Sequence, residues 1–383
     1  MKSIVVLGCT GSIGDTTFRV LEGLGPGYRV VGLSGGQQTG KLLARARQWR
    51  PQQVCVPSAG QRTLVEPELP GVRVRVGEEG LVELATVPGA DLVVNGLVGA
   101  VGLRPTLAAL EAGKVVAMAN KEPLVMAGGL VLEAARRGGG TLLPLDSEPS
   151  ALWQCLKGED PASVRRLILT ASGGPFRTWT RQQMAGIAPS EALAHPTWRM
   201  GPKITVDSAT LMNKGFEVIE ASWLFAVPVD RIEVVIHPES IVHSLVELAD
   251  GAILAHLGRT DMVLPVQYAL THPARFPAPL EPLDLTQVGH LSFARPDHER
   301  FPCLDLCYRA ARQGGGLPAA LSAANEEAVA AFLGGRIGFL DIALLALQIV
   351  DVGAPAGAGT VEEVLSVDRW ARQRAREWMA RRR

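Results

Sequence analysis

Ile4-Val5-Val6-Leu7-Gly8-Cys9-Thr10-Gly11-Ser12-Ile13-Gly14-Asp15 is the segment on which the fold is decided. A short apolar run ends in glycine, glycines recur at 8, 11 and 14, and helical spacing follows through Asp15–Leu24 with Phe18 and Leu21 on one face. A strand that turns through glycines into a helix lets the backbone approach a ligand closely. It also aims the free N–H groups of the helix start at a pyrophosphate. The glycine triplet alone is a weak signal; its place between a first strand and a first helix gives it weight.

The alternation continues outward from there. Arg29–Leu33, Val54–Val56, Asp91–Asn95 and Lys114–Ala119 are short apolar runs bounded by turn residues, and Lys41–Trp49 has helical spacing. This predicts a parallel, doubly wound sheet. After about residue 145 the texture changes. Arg166–Thr170, Ile232–Ile236, Ile241–Glu247 and Ala252–Leu257 read as strands of a second, mixed sheet, with helices around Ser150–Leu156 and Ala209–Phe225. Residues 172–202 show little periodicity and read as a lid. Six prolines mark 273–302 as a linker, and Cys303–Arg312, Pro318–Leu333, Phe339–Val350 and Asp368–Arg381 read as helices. The last is amphipathic, with Val367, Trp370, Ala371, Ala375 and Trp378 on one face and a solvated arginine face opposite.

The expected organisation is α/β. A Rossmann-like doubly wound domain covers 1–149 and a central α+β catalytic domain covers 150–272, with the lid at 172–202. The linker at 273–302 then leads to a C-terminal helical bundle over 303–383.

The chain has 383 residues, 47% hydrophobic and 20% charged, which supports sizeable cores and excludes a disordered chain. Its 38 basic and 38 acidic residues cancel, so no global field recruits nucleic acid or an anionic membrane. Apolar runs stay shorter than the roughly eighteen residues of a membrane span. Lys2-Ser3 runs directly into the first strand, leaving no signal peptide. Five cysteines, at 9, 55, 155, 303 and 307, form no CxxC and read as buried free thiols in a cytoplasmic protein. The basic residues divide unevenly, 7 lysines against 31 arginines.

Three further segments carry chemistry. A carboxylate about twenty residues beyond the glycines would hold the 2′-hydroxyl of NAD. Here that position reads Leu33-Ser34-Gly35-Gly36-Gln37-Gln38-Thr39, without one, so NADP is expected, with Lys41 the nearest cation. Asp146-Ser147-Glu148 follows an apolar run, and in an extended segment its two carboxylates share one side and repel unless a cation sits between them or one protonates. In Asp207–Glu217, Thr210, Asn213, Lys214 and Glu217 fall on one helix face. Three carboxylates without sulfur ligands fit a hard cation, Mg²⁺ or Mn²⁺; the same spacing also suits an N-cap beside a surface ion pair. Ser172-Gly173-Gly174 after a strand makes an anion cradle or a plain turn. Asn120-Lys121-Glu122 is a polar cluster at a strand end, and His195 with Trp198 lies late in the lid.

In this order the segments resemble the 1-deoxy-D-xylulose 5-phosphate reductoisomerases. The resemblance runs through Gly8–Gly14, Ala119–Glu122, Leu145–Ser150, Thr170–Phe176, His195–Gly201, Lys203–Glu220, Ser240–Ser244 and Ala323–Glu326, essentially the whole chain. It implies rearrangement and NADPH-dependent reduction of 1-deoxy-D-xylulose 5-phosphate to 2-C-methyl-D-erythritol 4-phosphate, on the route to isoprenoid precursors, by a homodimer. It further implies that Asp146, Glu148 and Glu217 hold Mg²⁺, Mn²⁺ or Co²⁺, and that Lys121, Ser147 and Glu148 face the reacting carbons, with Lys121 and Glu148 catalytic. Ser172, Ser208, Asn213 and Lys214 would bind the phosphate, Glu217 would also border the substrate, and His195 and Trp198 would close over it. Thr10, Gly11, Ser12, Ile13, Gly36, Gln37, Gln38, Asn120, Glu122 and Gly201 would contact NADPH. Gln37-Gln38 and Thr197 depart from the Lys-Asn and Asn common in the family. The rivals are another NADP-dependent dehydrogenase, resembling homoserine dehydrogenase, and a non-catalytic NADP-binding regulator.

Overall fold

The computed structural model describes residues 1–382. Its first sheet has seven parallel strands: β1 (Lys2–Leu7), β2 (Tyr28–Ser34), β3 (Gln53–Val56), β4 (Arg73–Val76), β5 (Leu92–Asn95), β6 (Val115–Met118) and β7 (Thr141–Pro144). Their order is β4-β3-β2-β1-β5-β6-β7, which reverses at β1 and opens a crevice at the carboxyl ends of β1 and β5. Gly8 sits there at φ +79°, and a Cβ on it would collide with the Gly96 carbonyl just beyond β5. At Gly14 a Cβ would lie 2.5 Å from the Cys9 carbonyl, so the helix Ser12–Leu24 packs this closely on its own strand only through glycine. β4 escapes the sequence reading because Arg73-Val74-Arg75-Val76 alternates charge with valine, a pattern suited to an edge strand.

Two compact units emerge: 1–123, 129–150 and 262–281 form one, and 124–128, 151–261 and the chain from Pro282 onward form the other. The expected domain edge at 272 therefore shifts. The helix Val263–Thr271 is buried along most of its length and packs against Ser12–Leu24, while Lys2 Nζ donates to the Leu270 carbonyl at 2.9 Å.

The second unit holds the mixed sheet β8 (Val164–Ala171), β9 (Ile232–Ile236), β10 (Val242–Leu248) and β11 (Ile253–Leu257), ordered β11-β10-β8-β9. β8 and β9 are parallel; β10 runs antiparallel to β8 and β11. The lid segment contains two short helices, Arg181–Met184 and Pro189–Ala192, the first fixed by a Thr180–Gln183 capping box. The proline-rich segment is tied down too, with a turn of helix at Leu285–Val288 and Ala294 bridging Ile236.

The helix expected over Ala209–Phe225 is two helices, Pro202–Ala209 and Met212–Phe225. Leu211 between them adopts φ +60°, and Thr210 caps the first helix, so Thr210 leaves the polar face that Asn213, Lys214 and Glu217 still share. Four helices follow: Cys303–Gln313, Leu317–Leu333, Phe339–Val352 and Val361–Ala380. The last begins seven residues earlier than its apolar pattern shows, because Thr360 and Glu363 form a capping box. Its arginine face is only partly solvated, since Arg372 pairs with Asp368 and with Glu326 of Leu317–Leu333. Trp370 and Trp378 are half-buried beneath the Arg374 and Arg382 guanidinium groups.

All five cysteines are free, and burial pushes the Cys9, Cys55 and Cys303 thiols up to about 12. The core of this unit joins Met212, Phe216 and Ile219 to Leu306, Cys307 and Leu321. Gly215 faces Cys307 so closely that a Cβ would overlap its Sγ. Gly215→Ala is therefore expected to destabilise the fold by about 1–3 kcal/mol in urea titration, with Cys307→Ala in the double variant restoring most of it.

Candidate active site

In the first unit, Ala119 and Asn120 both donate backbone N–H groups to the Asn95 carbonyl, at 3.0 and 3.2 Å, and so turn the chain off the end of β6. Lys121 follows, 4% exposed, with Nζ 2.5 Å from Asp146 Oδ2. Asp146 stands just past β7, held by the Leu145 N–H donating to the Met118 carbonyl. Its Oδ1 accepts from the Ser147 N–H at 3.0 Å, and its carbonyl accepts from the Ser150 N–H at 2.9 Å.

The helix Ser147–Cys155 thus begins at once, and the extended geometry expected for Asp146 and Glu148 is not what forms. Both carboxylates belong to a helix start, where free N–H groups and the dipole favour negative charge. Glu148 is half-buried and accepts from Ser147 Oγ at 2.5 Å. Asn120 Nδ2 donates to Glu122 Oε2 at 2.6 Å, coupling two of the expected cofactor contacts.

The glycine loop keeps Gly11 and Ser12 exposed, Ile13 half-buried and Thr10 buried. A Cβ at Gly11 would meet nothing nearer than 3.5 Å, so the chain's own packing makes no demand for glycine there. Gly36, Gln37 and Gln38 are exposed beyond β2.

In the second unit, Glu217 is fully buried on Met212–Phe225. Lys214 donates to its Oε2, and Asn213 Nδ2 to its Oε1 at 2.5 Å. Ser172 Oγ lies 3.0 Å and Ser208 Oγ 3.2 Å from His195 Nε2, so three residues 36 positions apart in sequence meet. The other ring nitrogen, Nδ1, accepts from the Trp198 N–H at 2.9 Å and the Thr197 N–H at 3.2 Å. That places the proton of the neutral imidazole on Nε2. Burial, with Arg177 adding like charge, holds the His195 pKa down to about 4, so the ring is neutral at pH 7. The Gly174 N–H donates to Ser172 Oγ at 3.2 Å, closing the turn after β8. Gly201 precedes the helix Pro202–Ala209 as its N-cap.

Three participants carried no signal of their own. Asp207 is buried and joins Lys203 Nζ, at 2.9 Å, to Asn325 Nδ2, at 2.7 Å, which fixes Pro202–Ala209 to Leu317–Leu333. Its partner lies 118 residues away, beyond the reach of any local pattern. His243 on β10 is buried, its ring centroid 6.1 Å from Trp198, and burial holds its pKa at about 4. Arg177 acts on His195 through charge alone. His243 entered the sequence reading only within the family-like stretch Ser240–Ser244, and its neighbour from the lid was not readable.

Family models match most of the chain. The 1-deoxy-D-xylulose 5-phosphate reductoisomerase model covers residues 4–128, the model of that enzyme's C-terminal domain covers 142–225, and a DXP reductoisomerase C-terminal domain model covers 257–374. The reductoisomerase of Symbiobacterium thermophilum is 50% identical over 382 residues, 98% of each chain. That of Cupriavidus necator is 50% identical over 387 aligned positions, covering 99% of this chain and 98% of its own. Among solved structures, a DOX-P reductoisomerase in complex with NADPH, fosmidomycin and magnesium is 41% identical with a TM-score of 0.95, over 99% of this chain and 98% of that one. The Zymomonas mobilis enzyme with NADPH is 42% identical with a TM-score of 0.91, over 99% of both.

The two depressed imidazoles fix a pH window. Their folded-state pKa values of about 4 lie below the 6.5 of an ordinary imidazole, so between those limits the unfolded chain binds more protons. Stability from this source is complete above pH 6.5 and is lost as pH falls toward 4. Urea titrations of His243→Gln across the window should show a slope shallower by about one proton, or about 1.4 kcal/mol per pH unit.

Proposed function

The chain belongs to the 1-deoxy-D-xylulose 5-phosphate reductoisomerase family, and we propose how its own residues divide that family's reaction among them. It is an NADPH- and divalent-metal-dependent oxidoreductase and isomerase that converts 1-deoxy-D-xylulose 5-phosphate to 2-C-methyl-D-erythritol 4-phosphate, a step toward isoprenoid precursors. A match over nearly its full length to such enzymes disfavours both a different dehydrogenase and a silent regulator.

The residues fit both groups. The loop at Gly11 leaves room for a pyrophosphate beside a helix start, and the proposed metal set, Asp146, Glu148 and Glu217, offers carboxylate oxygens alone, the donors of Mg²⁺ and Mn²⁺. When bound, the cation polarises neighbouring substrate oxygens and NADPH supplies the hydride.

The observation that carries the assignment of residues is the pairing of buried carboxylates with lysines: Asp146 with Lys121, and Glu217 with Lys214. With the carboxylates holding a cation, Lys121 and Lys214 would be free to serve the substrate from where they already stand. Lys121 then donates to the oxygens of the reacting carbons, flanked by Ser147 and Glu148. Lys214 turns to the phosphate with Asn213, Ser172 and Ser208. His195 supports this by donating from Nε2 without carrying charge of its own. Trp198 and the segment 172–202 exclude water over the substrate, as an enzyme with a reactive intermediate requires. The cofactor contacts are Thr10, Gly11, Ser12, Ile13, Gly36, Gln37, Gln38, Asn120, Glu122 and Gly201. In this division the glycine loop and the loop beyond β2 serve the cofactor, while Lys121, Asp146–Glu148 and the segments 172–217 serve the metal and substrate.

Use of Mn²⁺ as well as Mg²⁺, and a cytoplasmic location, belong to the same proposal; free thiols at all five cysteines support the latter. A homodimer is favoured by β11, an edge strand with Ile253 52% and Leu257 37% exposed, which a second copy's strand would cover. No described helix is long and apolar enough to cross a membrane.

Glu217→Gln should lower turnover on the order of 10³-fold, while NADPH titration by fluorescence stays near wild type and bound metal falls in elemental analysis. Retained turnover with full metal content would remove Glu217 from the set. Light scattering should give twice the chain mass for the wild type and a single chain for Ile253→Lys; a monomeric wild type would end the dimer proposal.

A further inference from the structure

We propose that Gln61 decides how the 2′-phosphate of the dinucleotide is recognised, by fixing which atom of the Gln37 amide faces it. The inference rests on the NADPH reading above and concerns only the loop beyond β2. Ser34 ends that strand where an NAD-binding chain carries its carboxylate. Its Oγ accepts from the Gly8 N–H at 2.9 Å and its carbonyl from the Cys9 N–H at 2.8 Å, so Ser34 holds the glycine loop and is 2% exposed. Cations on the adjoining helices are paired with carboxylates in this structure. Lys41 pairs with Asp15 at 2.6 Å and donates to the Thr10 carbonyl, Arg45 pairs with Asp15 at 3.2 Å, and Arg62 pairs with Glu66 at 2.8 Å. What faces solvent at the loop is a pair of neutral amides, Gln37 and Gln38.

A lone glutamine amide is ambiguous toward an anion, because its NH₂ attracts a phosphate and its oxygen repels one. Gln61 removes the ambiguity. Its Nε2 donates to the Gly36 carbonyl and to Gln37 Oε1, both at 3.2 Å. Both partners are oxygens, so the orientation of the Gln61 amide is determined, and so is that of Gln37: oxygen toward Gln61, NH₂ away from it. Gln61 is itself held at the start of the helix Ala59–Val65, its N–H donating to the capping Ser58 Oγ at 3.3 Å. Selection of the 2′-phosphate thus relies on oriented neutral donors in place of a cation. Such contacts depend weakly on salt, whereas an ammonium in the loop would add a screened attraction.

The test is fluorescence titration of NADPH and NADH against the full chain, without substrate, for the wild type, Gln61→Ala and Gln61→Glu. Gln61→Ala should weaken NADPH about fivefold and NADH less than twofold. Gln61→Glu can only accept from the Gln37 NH₂, which turns the oxygen outward and adds a negative charge, so NADPH should weaken tens of fold. Unchanged NADH binding shows that each variant is folded with its dinucleotide site intact. Equal weakening of both dinucleotides, no effect on NADPH, or a glutamate no worse than alanine would overturn the inference. A wild type that binds no NADPH would instead overturn the cofactor reading beneath it.

Discussion

A carboxylate with no access to water must have a counter-charge within hydrogen-bond reach, and this constraint organises the molecule around its functional residues. Glu217 is the extreme case, fully buried with Lys214 and Asn213 on its two oxygens. Asp146 with Lys121, and Asp207 with Lys203, repeat the arrangement. Arginine divides its work: Arg165 and Arg166 reach the buried Glu247 and Arg372 the buried Asp368, but most sit at the surface. There it caps exposed carboxylates such as Glu133 and Glu66, where an ion pair contributes little. Of the seven lysines, Lys157 alone lies open to solvent without a bond among the described residues; the others hold buried carboxylates or carbonyls or, like Lys41, lock a loop. A compact ammonium can move from one oxygen to another as its neighbours change, which a planar guanidinium does less readily.

Strand–helix alternation, the glycine turn and the sparse, uneven lysines were all legible in the chain, because each is a local consequence of backbone or composition. Misreadings came where a single residue altered backbone direction. The Asp146 side chain accepts from the N–H of the first helical residue, Ser147, and an extended segment became a first turn. Leu211 takes a left-handed conformation that no propensity favours for leucine, and a single predicted helix became two. Its side chain is buried. Long-range partners were illegible for a different reason. The bond from Asn325 to Asp207 and the meeting of His195 with Ser172 depend on tertiary packing, which periodicity does not encode.

The break at Leu211 also serves the site. A continuous helix would force Ser208 and Asn213 into one rigid angular series. With the chain reset between them, Pro202–Ala209 presents Ser208 to His195 while Met212–Phe225 independently presents Asn213, Lys214 and Glu217. Positioning by two short rigid elements, each tied separately into the core, holds the proposed phosphate and metal contacts in a fixed relation.

The cysteines bear on how the molecule meets its chemical surroundings. With pKa values near 12, Cys9, Cys55 and Cys303 exist as thiolate in only about one molecule in 10⁵ at neutral pH. Electrophiles and peroxides act on thiolates, so these sulfurs are inert passengers even though Cys9 lies inside the glycine loop itself. Cys307, fully enclosed against Met212, is more protected still. Cys155, only half-buried and with its thiol raised to about 11, is the least enclosed of the five and the first that an electrophile would meet.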